Sequence, residues 1–460
     1  MPKSAAAITD DATTDATELS LEATTDVATE PIPEVLPGIT LSQQQWESLQ
    51  ALEDFVNSEN KIYLLTGYAG TGKTTLLQAL IARMQQQRDG RPIALTALSN
   101  KATKVLQAMA YRWGCEVDCM TCCKLLGLKP VIDKETGGQK FEPDRDRKNL
   151  TTEYDLVIVD ECSMINQEMW ELLVNSVSKF TDRTQLLFVG DSAQLPPVGE
   201  EKSPCFDFIY DRSDLTEVIR YGGAIGLIAE DVRKNLERAS MPRPASDRND
   251  ANTEGIFTLP QPHWEKLMLR AFKSDAYNQN PDQVRVLAYT NARVNYLNNK
   301  IRAAIYGDKA ARFMPGERLV ARNACMGRDG ILLQTSEECE VLDAHLVRFE
   351  GWLIWELEVE TDENQERTLR VLHEDEQQRF KEILSDYSEK KQWMAFWDYK
   401  ELFHDLSYAY SLTVHKSQGS TFQDVFVDVP NLMLNRKVVE RNQLYYVAFT
   451  RAAKRLFLCE

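Results

Sequence analysis

The chain has 460 residues, 43% of them apolar, too long for one ordinary hydrophobic core and typical of folded material. Its net charge of −17, from 53 basic and 70 acidic side chains, excludes binding to nucleic acid by bulk attraction; residues 1–37 supply −7 of it, and the body is still acidic. No stretch approaches ~18 continuous apolar residues, and the start MPKSAAAITDD turns acidic before the apolar core of a signal peptide forms, so a soluble, cytoplasmic protein without a membrane partner is expected.

In chain order, the Ala/Thr/Asp/Glu tail (1–38) has few large apolar residues and is expected to be disordered. The apolar run KIYLLT (61–66) then leads into Gly67-Tyr-Ala-Gly70-Thr-Gly72-Lys73-Thr74-Thr75 and an amphipathic helix carrying Leu76, Leu77, Leu80, Ile81 and Met84. Strand, loop and helix together make a P-loop: glycines let N–H groups converge on phosphates, Lys73 reaches the β and γ phosphates of ATP, Thr74 offers a hydroxyl to Mg²⁺, and Thr75 continues the cradle.

A second strand, IALTA (93–97), precedes a crowd of four of the nine cysteines: Cys115, Cys119, Cys122 and Cys123. No Cys or His pair follows at metal-site spacing, so ordinary reduced thiols are favoured over a metal or iron–sulfur site. Between Leu128 and Asn149, KPVIDKETGGQKFEP holds two short extended arms joined by Gly137-Gly138, a hairpin signal.

The run LVIVD (156–160) ends in Asp160-Glu161, two carboxylates at the carboxyl edge of a sheet, where open α/β sheets bind ligands. Asp160 is expected to hold Mg²⁺ and Glu161 to orient and deprotonate the attacking water. The next strand, LLFVG (186–190), runs into Asp191-Ser-Ala-Gln194-Leu-Pro-Pro; the Gln194 amide both donates and accepts, which suits sensing a γ-phosphate and its water, and Pro196 and Pro197 stiffen the loop. Such runs buried on both faces indicate a parallel sheet.

A second set follows, VRVLAY (284–289), VFVDV (425–429) and RLFLC (455–459), interrupted by material of different character. In the interruption Trp352 to Glu360 alternates with period two, placing Leu353, Trp355, Leu357 and Val359 on one face, before a charged helical stretch from about Glu374 to Phe403. The expected fold is therefore α/β: two domains (39–128 with 147–220, and 221–334 with 406–460), a β-hairpin insert (129–146) and a small β-rich insert (335–405).

DECSM (160–164), GDSAQLPPV (190–198), HKSQGSTF (415–422) and LYYVAFTRA (444–452) resemble the ordered motifs of superfamily 1 helicases, and the GTGKT, TN and HKSQG forms resemble the 1B branch. The arrangement is similar to the phage Dda helicases within the wider RecD-like group, over about residues 39–460. The resemblance implies two tandem RecA-like P-loop domains with a small β-barrel-like insert in the second, forming an ATP-dependent DNA helicase that moves 5′ to 3′ on single-stranded DNA and unwinds tailed or forked duplexes in replication, recombination or repair. It also implies a monomer, with a single-strand binding protein or other replication and recombination proteins as partners.

Residue by residue, the resemblance makes Gln45 the adenine reader, with Gln43 or Gln44 open in a shifted register. It adds Gly419 to the nucleotide site and makes Arg220 and Arg451 the arginines that reach the γ-phosphate across the cleft. Thr96, Ser99, Asn100 and Lys101 are implied to grip the DNA backbone from the first motor domain, and Thr290, Asn291, Thr413, His415 and Lys416 from the second. The hairpin occupies the place of the strand-separating pin, with Pro130 and Phe141 matching residues that stack on bases. One departure is visible: Thr121-Cys122-Cys123 stands where relatives commonly have Thr-x-His.

Three other readings fit parts of the pattern: a translocase or remodeller that does not unwind, a single-strand binding module whose P-loop only gates affinity, and a small-molecule kinase. The binding module does not require Lys73, Asp160, Glu161, Gln194, Arg220 and Arg451 together, and the kinase leaves the second α/β set and HKSQG unexplained.

Overall fold

The computed structural model describes residues 40–460 except 88, 113, 133–138, 145–146, 179–182, 198, 218–222, 241–243, 328–329 and 362–363. The acidic tail, Gly137-Gly138 and Arg220 thus lie outside the described residues.

The first half supplies β1 (Ile62–Gly67), β2 (Ile93–Ala97), β3 (Asp118–Thr121), β4 (Leu128–Ile132), β5 (Gln139–Pro143), β6 (Leu156–Val159), β7 (Gln185–Gly190) and β8 (Arg212–Leu215). Six of them form a sheet of order β3-β2-β6-β7-β1-β8, parallel throughout. Every residue of β2, β6 and β7 is buried, because helices cover both faces. The two-residue period divides the strand between two cores: Leu187 and Val189 pack with Leu76, Leu80 and Leu106, whereas Leu186 and Phe188 pack with Trp170 and Leu173. β4 and β5 stand apart as an antiparallel hairpin pairing Leu128 with Pro143 and Pro130 with Phe141.

The second half supplies β9 (Asp247–Arg248), β10 (Gly255–Leu259), β11 (Val284–Ala288), β12 (Arg318–Ala321), β13 (Cys325–Gly327), β14 (Gly330–Leu333), β15 (Glu338–Phe349), β16 (Trp352–Thr361), β17 (Glu366–Leu372), β18 (Leu406–Tyr408), β19 (Ser411–Thr413), β20 (Phe422–Val427) and β21 (Ala452–Cys459). A second sheet runs β19-β11-β20-β21-β10-β9, parallel except for β9. Tandem RecA-like sheets are the result.

The small insert is an antiparallel sheet of order β17-β16-β15-β12-β18, and two of its strands, β12 and β18, lie beyond the interval 335–405 on either side. Its edges are drawn together in barrel fashion: the His404 N–H donates to the Arg370 carbonyl at 2.7 Å, and His404 Nδ1 accepts from the Arg370 N–H at 3.0 Å. Trp355, Leu357 and Val359 share one core as the alternation requires, but Leu353 is not among its residues. Trp352 and Ile354, on the opposite face, are also buried, under Phe380, Tyr399 and Phe403 from the helical stretch. That stretch is two helices, Gln377–Glu389 and Trp393–Lys400.

Buried ion pairs weld this insert to the second motor sheet. Arg285 of β11 reaches Glu338 of β15 at 3.2 Å, and Arg302 holds Glu317 at 2.7 Å while Tyr410 donates to the same carboxylate at 3.1 Å. Removing one partner of such a pair typically costs about 3–5 kcal/mol, since the other charge stays buried.

Cys115 and Cys122 fall in different apolar cores, and burial pushes the Cys122 thiol up to about 12. Among the described residues no group of three or more His, Cys, Asp or Glu is placed to hold a metal ion, and no helix is long and apolar enough to cross a membrane.

Candidate active site

β1 delivers the phosphate loop to the carboxyl edge of the first sheet. Gly70 and Gly72 sit at φ 82° and 81°, a left-handed conformation that a side chain resists, and a Cβ at Gly67 would lie 2.7 Å from Thr71 Oγ1 and 2.8 Å from Leu215 Cβ. The loop therefore needs its glycines for geometry. Lys73 opens the helix Lys73–Gln86, and its Nζ donates to the carbonyls of Gly67 (2.6 Å) and Tyr68 (3.0 Å), which centre the ammonium in the loop. Thr74 and Thr75 follow in the first helical turn, half-buried.

Of the three glutamines, Gln45 is the one that contacts the phosphate loop. Gln45 is buried, closes a capping box with Ser42 and donates from Nε2 to the Thr71 carbonyl of the loop at 3.0 Å. Gln44 instead binds Thr216 and the Asp214 carbonyl, and Gln43 binds Glu47 on its own helix.

Beyond β6, Asp160 Oδ1 accepts from the Glu161 N–H at 2.8 Å, and Glu161 sits at φ 55°, ψ 39°, a strained backbone of the kind found at functional sites. Burial first, and the neighbouring Glu161 charge second, hold the Asp160 carboxyl above the usual carboxylate range, while Lys73 works against them. A desolvated carboxylate beside a second one is a fitting ligand for a divalent cation. Opposite Glu161 is the second motor domain, because a Cβ on Gly419 would lie 4.0 Å from Glu161 Oε1.

Gln194 is buried with its Oε1 lacking a hydrogen-bond partner among the described residues, and its N–H is tied to the Asp191 carbonyl at 3.1 Å. Arg451 caps the helix Val438–Thr450 and is buried; its guanidinium donates to the carbonyls of Val447 (3.2 Å) and Ser420 (3.0 Å), which keeps it docked on its own domain.

Several participants escaped the sequence. Tyr446, in the same helix, donates to Asp191 Oδ2 at 2.7 Å and accepts from the Ala69 N–H at 2.8 Å; a tyrosine in an apolar helix reads as core. Arg233 lies over the Tyr68 ring. Gln418 Nε2 and Ser420 Oγ, in the HKSQGST block, are buried without hydrogen-bond partners among the described residues.

The expected DNA track is corrected at Thr96. Thr96 is fully buried and its hydroxyl donates to the Ile158 carbonyl at 2.9 Å, because β2 is an interior strand with β6 against it; Thr96 does not face a strand of DNA. Ser99 is exposed and caps the helix Asn100–Arg112 through the Ala102 N–H, while the side chains of Asn100 and Lys101 lie outside the described residues. In the second domain Thr290 caps the helix Asn291–Tyr306 and accepts from Asn431, and Asn291 beside it is exposed. Thr413 is nearly buried, its hydroxyl accepting from the Lys416 N–H at 3.3 Å. His415 and Lys416 are half-buried, and burial lowers the pKa of each. On the hairpin Phe141 is 44% exposed opposite Pro130, whose side chain lies outside the described residues.

A phosphate loop on one RecA-like sheet, faced across a cleft by an arginine-ended helix on a second, defines a P-loop motor ATPase. Residues 40–239 match the AAA domain model and residues 408–459 the UvrD-like helicase C-terminal domain model. The uncharacterized protein R530 of Acanthamoeba polyphaga mimivirus is 24% identical over 490 residues, 90% of this chain and 98% of that protein. The RecBCD subunit RecD of Buchnera aphidicola subsp. Schizaphis graminum is 30% identical over 163 residues, 34% of this chain but only 27% of RecD. The Bacteroides Pif1 helicase solved with ADP-AlF3 and single-stranded DNA superposes with a TM-score of 0.51 at 15% identity, covering 91% of this chain and 92% of that one. The two domain models, the RecD likeness and the shared fold together support an ATP-dependent DNA helicase of the superfamily 1B type.

Proposed function

We propose that the protein moves 5′ to 3′ along single-stranded DNA and splits tailed or forked duplexes on the β4–β5 hairpin, acting as a monomer. The carrying observation is that one chain supplies both sides of the nucleotide cleft: Lys73 and Glu161 from the first sheet, Gly419 and Arg451 from the second. Thr74 and Asp160 would hold Mg²⁺, which when bound would supply charge to neutralise the phosphates. Gln45 reads the base, Glu161 takes a proton from the attacking water, and Gln194 orients that water with its unpaired Oε1.

Arg451, with Arg220, completes the charge stabilisation on closure, which requires it to leave the Ser420 carbonyl. Cleft closure and reopening bring the two grips together and apart by about one nucleotide per ATP. The grips are Ser99, Asn100 and Lys101 on one side, and Asn291, His415 and Lys416 with the capped ends at Thr290 and Thr413 on the other. The polarity and the replication, recombination or repair setting rest on the family resemblance, as does a single-strand binding protein as partner.

The pin is tested by Phe141→Ala. Phe141 is 44% exposed and belongs to none of the apolar cores formed by the described residues, so its ring is placed to replace a base stack worth about 1–3 kcal/mol. The variant is expected to keep single-strand-stimulated ATPase while unwinding falls roughly 10-fold, measured side by side on a single strand and a 5′-tailed duplex. Equal unwinding by both proteins removes the pin and favours a translocase or remodeller.

A further inference from the structure

The turn Tyr68-Ala69 of the phosphate loop is held from the second motor domain at two points. The Ala69 N–H points at Tyr446 Oη (2.8 Å) and Asp191 Oδ2 (3.0 Å), and Tyr446 donates its own proton to that carboxylate at 2.7 Å. Asp191 is itself fixed by the Ala193 N–H on Oδ1 at 3.0 Å, in the loop that carries Gln194. Beside this triangle the Arg233 guanidinium lies 3.1 Å from the Tyr68 ring centroid, 8% exposed, with Nη1 buried and lacking a hydrogen-bond partner among the described residues. Arg233 comes from the helix Gly223–Lys234, which packs on the helix of Tyr446 through Ile225, Ile228, Ala229 and Val232.

We propose that Tyr446 and Arg233 are positioning residues forming a two-point latch, through which the second motor domain sets the phosphate loop and so couples nucleotide binding to the grip on single-stranded DNA. Ala69 N–H belongs to a loop whose amides serve phosphate, and in the latched arrangement a hydroxyl from the other domain determines its direction. Burial beside Asp191 raises the Tyr446 pKa well above its ordinary value, so the phenol remains a donor throughout the physiological range. The same helix ends in Arg451, and the same acidic loop carries Gln194. Two hydrogen bonds of Tyr446 and one cation over the Tyr68 ring thus connect the phosphate loop, the γ-phosphate sensor and the arginine finger.

The inference rests on the motor reading above, and its test separates the two. Affinity for a fluorescent oligo(dT) is measured with and without ADP–aluminium fluoride in wild type, Tyr446→Phe and Arg233→Lys, each checked by thermal melting. Tyr446→Phe keeps the ring and loses only the hydroxyl; Arg233→Lys keeps the charge and loses the planar stack. The ratio of the two dissociation constants is expected to move about 10-fold toward one in each variant, with nucleotide-free affinity unchanged. By reciprocity the same change appears in nucleotide affinity measured with and without DNA. A residue that only supports the fold shifts both affinities together, so a wild-type ratio in both variants overturns the latch and leaves the motor intact. A ratio of one in the wild type sinks the motor reading, and the latch with it.

Discussion

Lys73→Ala is expected to reduce DNA-stimulated ATP turnover to background, a loss on the order of 10³-fold, with single-strand binding retained. The ammonium is centred in the phosphate loop, held 2.6 Å from the Gly67 carbonyl and 3.0 Å from that of Tyr68. It also counters the desolvation that raises Asp160. Its loss therefore removes phosphate neutralisation and disfavours the ionised carboxylate at once. Steady-state phosphate release with saturating oligo(dT) checks this; sustained turnover would show that ATP is hydrolysed elsewhere.

Arg451→Ala is expected to lower kcat by about 10³- to 10⁵-fold while nucleotide still binds. In the structure the guanidinium is a domain-two group, donating to Val447 and Ser420 carbonyls, so in the proposed mechanism it reaches the phosphates only on closure. Its contribution belongs to the transition state and not to ground-state affinity. Lysine should not restore the rate, because an ammonium lacks the planar fork. The variant also leaves the Ser420 carbonyl without its donor, at a cost of about 1–3 kcal/mol, so the melting temperature must be measured alongside kcat and nucleotide affinity. A fall in affinity with kcat preserved would make Arg451 an ordinary binding residue.

The parts of this machine that were legible in sequence are those enforced locally. A phosphate loop needs Gly70 and Gly72 at positive φ wherever it occurs, and Asp160-Glu161 must end a buried strand to project from the sheet edge. Thr96 failed as a DNA contact because its exposure is decided by β6 and β3 on either side of β2, neighbours that its own segment does not encode. The insert was underestimated for a related reason: β12 and β18 are four and three residues long, and only pairing with β15 and with each other makes them part of its sheet. The alternation of β16 indicated one buried face, whereas two helices from further along the chain cover the other at Trp352 and Ile354. Tyr446 was hidden because a buried tyrosine in a helix looks the same whether its hydroxyl caps a carboxylate or fills a gap.

The most direct test of the whole account is single-turnover unwinding of two partial duplexes, identical except that one has a 5′ single-stranded tail and the other a 3′ tail, with ATP and Mg²⁺. Strand release from the 5′-tailed substrate alone is the expected result. Release from the 3′-tailed substrate alone would contradict the polarity, and release from neither, with ATPase still stimulated by single strands, would contradict strand separation by this chain acting alone.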